Sequence, residues 1–141
     1  MRMPLWQWLV PISLAGVALA AWAETGGPQV FETRCSVCGK VAARIELRGP
    51  AGARKLIYKG ILAGNASGDP VTDARAQAIG EAFTPPYQTK KIKAAKLHDD
   101  AGWCEKCQAF YCIDHWNPTR TGGGWCPKRH LKILDPGAAF D

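Results

Sequence analysis

A small α+β domain is what this sequence predicts: a β-hairpin and one or two short helices inserted into a scaffold tied together by cysteine and histidine. Three observations predict it. The six cysteines, with two of the histidines, fall into four short pairs. Two segments rich in β-formers flank Gly49-Pro50-Ala51-Gly52, and a capped run with helical spacing follows them. The composition agrees, because 15 glycines and 10 prolines in 141 residues leave many turns and little core. Loop-rich chains of that kind need disulfide or metal staples.

The first 23 residues differ from the rest. Arg2 forms a short positive start, the stretch from Leu5 to Ala21 is almost entirely apolar, and Ala21-Trp22-Ala23 supplies a small-x-small pattern before polar Glu24. We expect an export signal cleaved after Ala23. Because the apolar run is long enough to span a bilayer, an uncleaved membrane anchor is the companion reading. A mis-assigned start codon would instead leave a cytoplasmic chain. Export would carry the cysteines into an oxidising compartment, where disulfides compete with metal.

Residues 24–34 read as a linker. Cys35-Ser-Val-Cys38-Gly39 then has the form of a metal knuckle, with a glycine that lets backbone N–H groups turn toward the sulfurs. Val41 to Arg48 and Lys55 to Leu62 are expected to pair as the hairpin. The segment from Gly64 to Pro70 reads as a loop. Thr72 is the expected N-cap of a helix in which Ala76, Ile79, Ala82 and Phe83 recur at helical spacing. Thr84-Pro85-Pro86 ends it. Gln88 to Leu97 suggests a second, shorter helix with its lysines outward, and Asp99 to Gly102 a turn into Cys104. A domain at 35–134 and a tail at 135–141 complete the expected organisation.

The four pairs are Cys35/Cys38, Cys104/Cys107, Cys112/His115 and Cys126/His130. Each spacing lets two side chains reach one tetrahedral ion, so eight ligands make two closed zinc sites. A closed site is structural, since catalytic zinc needs a vacancy for water or substrate. Three disulfides, or a redox CxxC, would leave His115 and His130 without a role beside their cysteines. Spacing alone does not say which pairs share an ion. The short gap from Cys107 to Cys112 allows one compact knuckle or two diverging sites, with Phe110-Tyr111 as a strand between them.

The ligand order resembles that of the cross-brace zinc fingers, meaning RING fingers and the small fingers of stress-associated ubiquitin-linked proteins. CxxC is followed by a second pair, then an aromatic and Cys-x2-His, then a fourth pair. The resemblance implies Cys35, Cys38, Cys112 and His115 on one ion, with Cys104, Cys107, Cys126 and His130 on the other. The chain departs from those families in the 65 residues between its first two pairs and in the Cys-x3-His closing pair. As a whole it also resembles small uncharacterised bacterial zinc-finger-like proteins, a likeness that implies no activity.

The formal charge is +6. With two zinc ions bound by six thiolates it falls to +4, so an acidic or nucleic-acid partner is permitted but not demanded. No Ser-His-Asp set, paired carboxylates or phosphate loop stands out. His98-Asp99-Asp100 reads as a solvated turn, Gly122-Gly123-Gly124 as a flexible link, and Trp103, Trp116 and Trp125 as cover for the metal sites. The reading is therefore a structural zinc module that binds an unknown protein partner without catalysis. Nucleic-acid binding through the basic residues is the alternative, a RING-like ubiquitin ligase a distant third, and membrane contact would come through the leader.

Overall fold

Alternation in Val41–Arg48 (β2) sends Ala43, Ile45 and Leu47 inward and Arg44, Glu46 and Arg48 outward, which makes a half-buried antiparallel strand. Lys55–Lys59 (β3) pairs with it, Ile45 opposite Tyr58 and Leu47 opposite Leu56. The expected hairpin is therefore present, although its second strand stops at Lys59. The computed structural model describes residues 27–134. The expected leader at 1–23 and tail at 135–141 lie outside the described residues.

Two further strands complete a four-stranded antiparallel sheet in sequence order. Gln29–Arg34 (β1) pairs along β2, so the second half of the expected linker is an edge strand. Its alternation is concealed by polar residues, yet Phe31 and Thr33 both face inward. Buried Thr33 is fully used: its hydroxyl accepts from the Ala43 N–H at 3.0 Å and donates to the Ala101 carbonyl at 3.4 Å. Gly64–Pro70 (β4) is also a strand rather than a loop, paired irregularly with β3. Gly68 lies over the Ile57 side chain, at a positive φ of 80° that β-branched residues avoid.

Asp73–Ala82 (α1) starts where Thr72 caps it, its hydroxyl accepting from the Arg75 N–H at 3.2 Å. Ala76, Ile79 and Ala82 bury against the sheet, joined by Ile92 from Thr89–Ala94 (α2). This core ends in an aromatic cluster in which Phe110 lies 4.8 Å from Trp103 and 5.0 Å from Tyr87, centroid to centroid.

Beyond the core lie short elements that carry the ligand pairs. Trp103–Cys104 (β5) pairs with Ala109–Phe110 (β6), Ile113–Trp116 forms one helical turn (α3), and Gly123–Trp125 (β7) pairs with Leu131–Ile133 (β8). Gly123 and Gly124 are thus strand residues and not part of a flexible link. A Cβ on Gly124 would lie 2.8 Å from the Trp116 carbonyl oxygen and closer still to Leu134, so only glycine fits there. No helix among the described residues is long and apolar enough to cross a membrane.

Candidate metal centres

Each ligand pair sits on a tight turn whose backbone is already hydrogen-bonded. Between β1 and β2 the chain doubles back, with Gly39 N–H on the Cys35 carbonyl and Cys35 N–H on the Lys40 carbonyl, both at 2.9 Å. Gly39 takes a φ of +72°, the left-handed geometry that glycine adopts without strain. Cys112 stands at the N-cap of α3, and its carbonyl accepts from the His115 and Trp116 N–H groups at 3.0 Å. Cys104 and Cys107 occupy the β5–β6 turn. Cys126 and His130 close the β7–β8 hairpin, where the His130 N–H reaches the Cys126 sulfur at 3.4 Å.

The far-apart pairs are brought together by the fold. The Ser36 N–H donates to the Phe110 carbonyl at 2.9 Å, which lays the first turn against the strand leading to Cys112. Among the described residues two groups can hold a metal ion: Cys35, Cys38, Cys112 and His115, and Cys104, Cys107, Cys126 and His130. Of the partitions open at the level of sequence, this is the interleaved one, first pair with third and second with fourth. All eight expected ligands are present in the two clusters.

The separations test the fit to an ion. Bonds of about 2.3 Å to sulfur and about 2.0 Å to nitrogen, at tetrahedral angles, set sulfur–sulfur edges of about 3.8 Å and sulfur–nitrogen edges of about 3.5 Å. In the first cluster Cys38 and Cys112 sulfurs are 3.8 Å apart, and His115 Nδ1 lies 3.4 Å from Cys35 and 3.2 Å from Cys112. In the second, Cys107 and Cys126 sulfurs are 3.6 Å apart, and His130 Nδ1 lies 3.2 to 3.6 Å from its three cysteines. A disulfide would need about 2.05 Å. The cysteines are free thiols here, and the donor sets fit a tetrahedral thiophilic cation.

The two clusters differ in their affinity for protons. Burial alone would raise the Cys35 pKa, but N–H groups of Cys112, Cys38 and Val37 outweigh it and bring the thiol down to about 6. Burial pushes Cys104 up to about 11, reinforced by the neighbouring thiols of Cys107 and Cys126. Cys112 is raised by burial and by Cys35 and Cys38. Cys107 is lowered despite its burial, because the Tyr111 hydroxyl and its two cysteine neighbours hydrogen-bond its sulfur.

One set of residues is shared by both centres. The Gly102 carbonyl accepts from the Trp116 indole N–H and from the Tyr111 N–H, each at 3.0 Å. Trp116 is fully buried, packs edge-on against Tyr111 and belongs to the same apolar cluster as four of the ligands. Lys132 Nζ donates to the carbonyls of Trp103 at 2.7 Å and His98 at 2.8 Å, pairs with Asp99 at 3.0 Å, and lies 5.8 Å from the Trp116 ring. Burial pushes its pKa down, although Asp99 pulls the other way.

Two expectations are corrected by these contacts. The His98-Asp99-Asp100 turn is only partly solvated: Asp99 lies 3.0 Å from Lys132 on one oxygen and 3.3 Å from His98 on the other. The three tryptophans also part company. Trp116 covers the centres, Trp103 belongs to the sheet–helix core, and Trp125 is 42% exposed. Sequence reasoning passed over Lys132, and it named Tyr111 only as part of a strand between the sites and Gly102 only as the end of a turn. The alternation Leu131-Lys132-Ile133 is the signal that places Lys132 on the face opposite its neighbours. Comparison with known protein families, with curated proteins and with solved structures gives no match for this chain.

Proposed function

We propose that both clusters are structural zinc sites and that the chain is a non-catalytic, cross-brace-like module that binds a protein partner. The observation that carries this reading is closure: three sulfurs and one imidazole nitrogen supply all four corners of each tetrahedron. No corner is left for water or substrate, and an ion held that way stabilises structure instead of activating a reactant. Zinc is favoured among thiophilic ions by the three-thiolate, one-imidazole donor set and by separations that match its bond lengths. Cys35, Cys38, Cys112 and His115 would hold one ion, and Cys104, Cys107, Cys126 and His130 the other.

The test begins with the metal content of the chain purified without added zinc, together with thiols counted after chelation. Two zinc ions per chain, six thiols released and loss of secondary structure on chelation are expected. Zinc-free protein with three disulfides would overturn the structural-zinc reading. For the partner, binding to a purified protein that persists at high salt is expected.

A second reading has its own observation. Residues 27–134 carry 17 Lys and Arg against nine Asp and Glu, and exposed Trp125 lines a surface hollow together with Arg129. A stacking aromatic among cations suits single-stranded nucleic acid. That reading requires affinity that falls steeply with salt.

A further inference from the structure

Among the described residues, the β7–β8 sheet has an outer β8 edge that is open along its length and an outer β7 edge that is occupied at Gly123. Its flanking bonds, Cys126 N–H to the His130 carbonyl and Leu134 N–H to the Gly122 carbonyl, set the phase of the ladder. Gly124 and Lys132 are then a hydrogen-bonded pair, whereas Leu131 and Ile133 direct their N–H and C=O groups away from β7. On the far side of β7 the equivalent groups of Gly123 are taken by Thr119. On β8 the groups of Leu131 and Ile133 have no partner among the described residues. Both side chains are more than half exposed, at 61% and 51%.

A cleft of about 610 Å³ borders this edge, its lining shared by Leu131 and Ile133 with Trp103, Trp116, Lys93 and Lys106. Of its lysines, Lys93 is paired with Glu105 and Lys132 with Asp99. Lys106 has no carboxylate partner among the described residues. Two outward-pointing N–H and C=O sets, flanked by two exposed aliphatic side chains, match the backbone of an extended chain.

Resting on the partner-binding reading above, we infer that β8 is where the partner docks, and that the docking segment is an extended, apolar-and-acidic peptide added as a third strand. Charge decides against a second copy of this chain. Self-pairing would bring together two domains with the same excess of cations, each with an unpaired Lys106 at the cleft. An acidic segment instead meets the unpaired ammonium of Lys106 while its apolar side chains cover Leu131 and Ile133. Three residues of edge give few backbone bonds, so the complex is transient.

The experiment uses the metal-loaded full chain and a short fluorescent peptide of alternating Val and Glu, followed by anisotropy and by amide exchange. Binding is expected, with new protection at Leu131 and Ile133. It should weaken by about tenfold when alternate peptide amides are N-methylated, and likewise when Glu is replaced by Lys. Ile133→Pro removes an N–H that β7 does not use, and should weaken binding to a similar degree while metal content stays at two ions per chain.

Equal binding of the N-methylated peptide, or of Ile133→Pro loaded with both ions, would overturn the docking site yet leave partner binding standing on another surface. No binding of the peptide would overturn the inference alone, because the wider reading is tested by a purified protein partner. Self-association abolished by Ile133→Pro would make the occupant a second copy, and would also overturn it.

Discussion

Replacing Trp116 by alanine is the sharpest test of whether the two centres are one structure. The side chain is fully buried, so the loss can be estimated in two ways. A buried Trp removes roughly 150–250 Å² from water, about 4–6 kcal/mol at about 25 cal/mol per Å². Large-to-small substitutions of this kind cost about 3–5 kcal/mol when measured in cores. The lost indole N–H adds little, because the Gly102 carbonyl keeps the Tyr111 N–H at 3.0 Å. A loss of about 4 kcal/mol is expected. In guanidinium unfolding at buffered free zinc, with a slope of about 4 kcal/mol per molar, the midpoint should fall by about 1 M. Trp116→Phe keeps the packing against Tyr111 and should lose about half as much. Because Trp116 follows His115 directly and its carbonyl meets Gly124, both ions should weaken together. A midpoint unchanged within about 0.2 M, or normal binding at one site with loss at the other, would refute the shared-junction argument.

Three further outcomes follow from the same contacts. Thr33→Val leaves the Ala43 N–H and the Ala101 carbonyl unpaired in the core, and should cost about 1–3 kcal/mol in denaturant unfolding. Gly102→Ala puts a Cβ against the Tyr111 carbonyl oxygen at a φ of +73°; it should lower zinc occupancy at both centres, as read by metal analysis after dialysis. On acidification the cluster of Cys104 should release its ion at higher pH than the cluster of Cys35. Cys104, up at about 11, holds its proton against the metal more strongly than Cys35, down at about 6. The opposite shifts at Cys112 and Cys107 narrow the gap. For the chain folded with its thiols not yet metal-bound, the signs differ too. Cys35 stabilises fully above its ordinary 9.0 and loses that contribution as pH falls through about 6. Cys104 stabilises below 9.0 and loses its contribution as pH rises through about 11. Cobalt substitution with separate Cys35→Ser and Cys104→Ser variants would assign the two release steps.

Local chemistry made part of this protein legible from its residues alone. A Cys-x2-Cys, Cys-x2-His or Cys-x3-His turn brings two donors to one ion within a few residues, so all eight ligands could be named without a fold. Thr72 with the apolar spacing of α1, and the alternation of β2, are local in the same sense. Elements whose identity depends on a neighbour were not legible. Gln29–Arg34 and Gly64–Pro70 are polar or glycine-rich and become strands only because β2 and β3 offer them open edges. Gly122-Gly123-Gly124 reads as a flexible link until Trp116 and Leu134 are seen to close on Gly124.

The eight donors and the small mixed fold were thus determined by the sequence itself, whereas their partition between two centres was decided by tertiary structure. Cys35 and His115 are 80 positions apart and meet at 3.4 Å because the Ser36–Phe110 bond and the sheet carry them there. Spacing specifies which residues can chelate, since a chelate turn is closed by a few backbone angles. Which turns face each other depends on non-local packing, and that depends on Gly102, Tyr111, Trp116 and Lys132 filling the space between the centres.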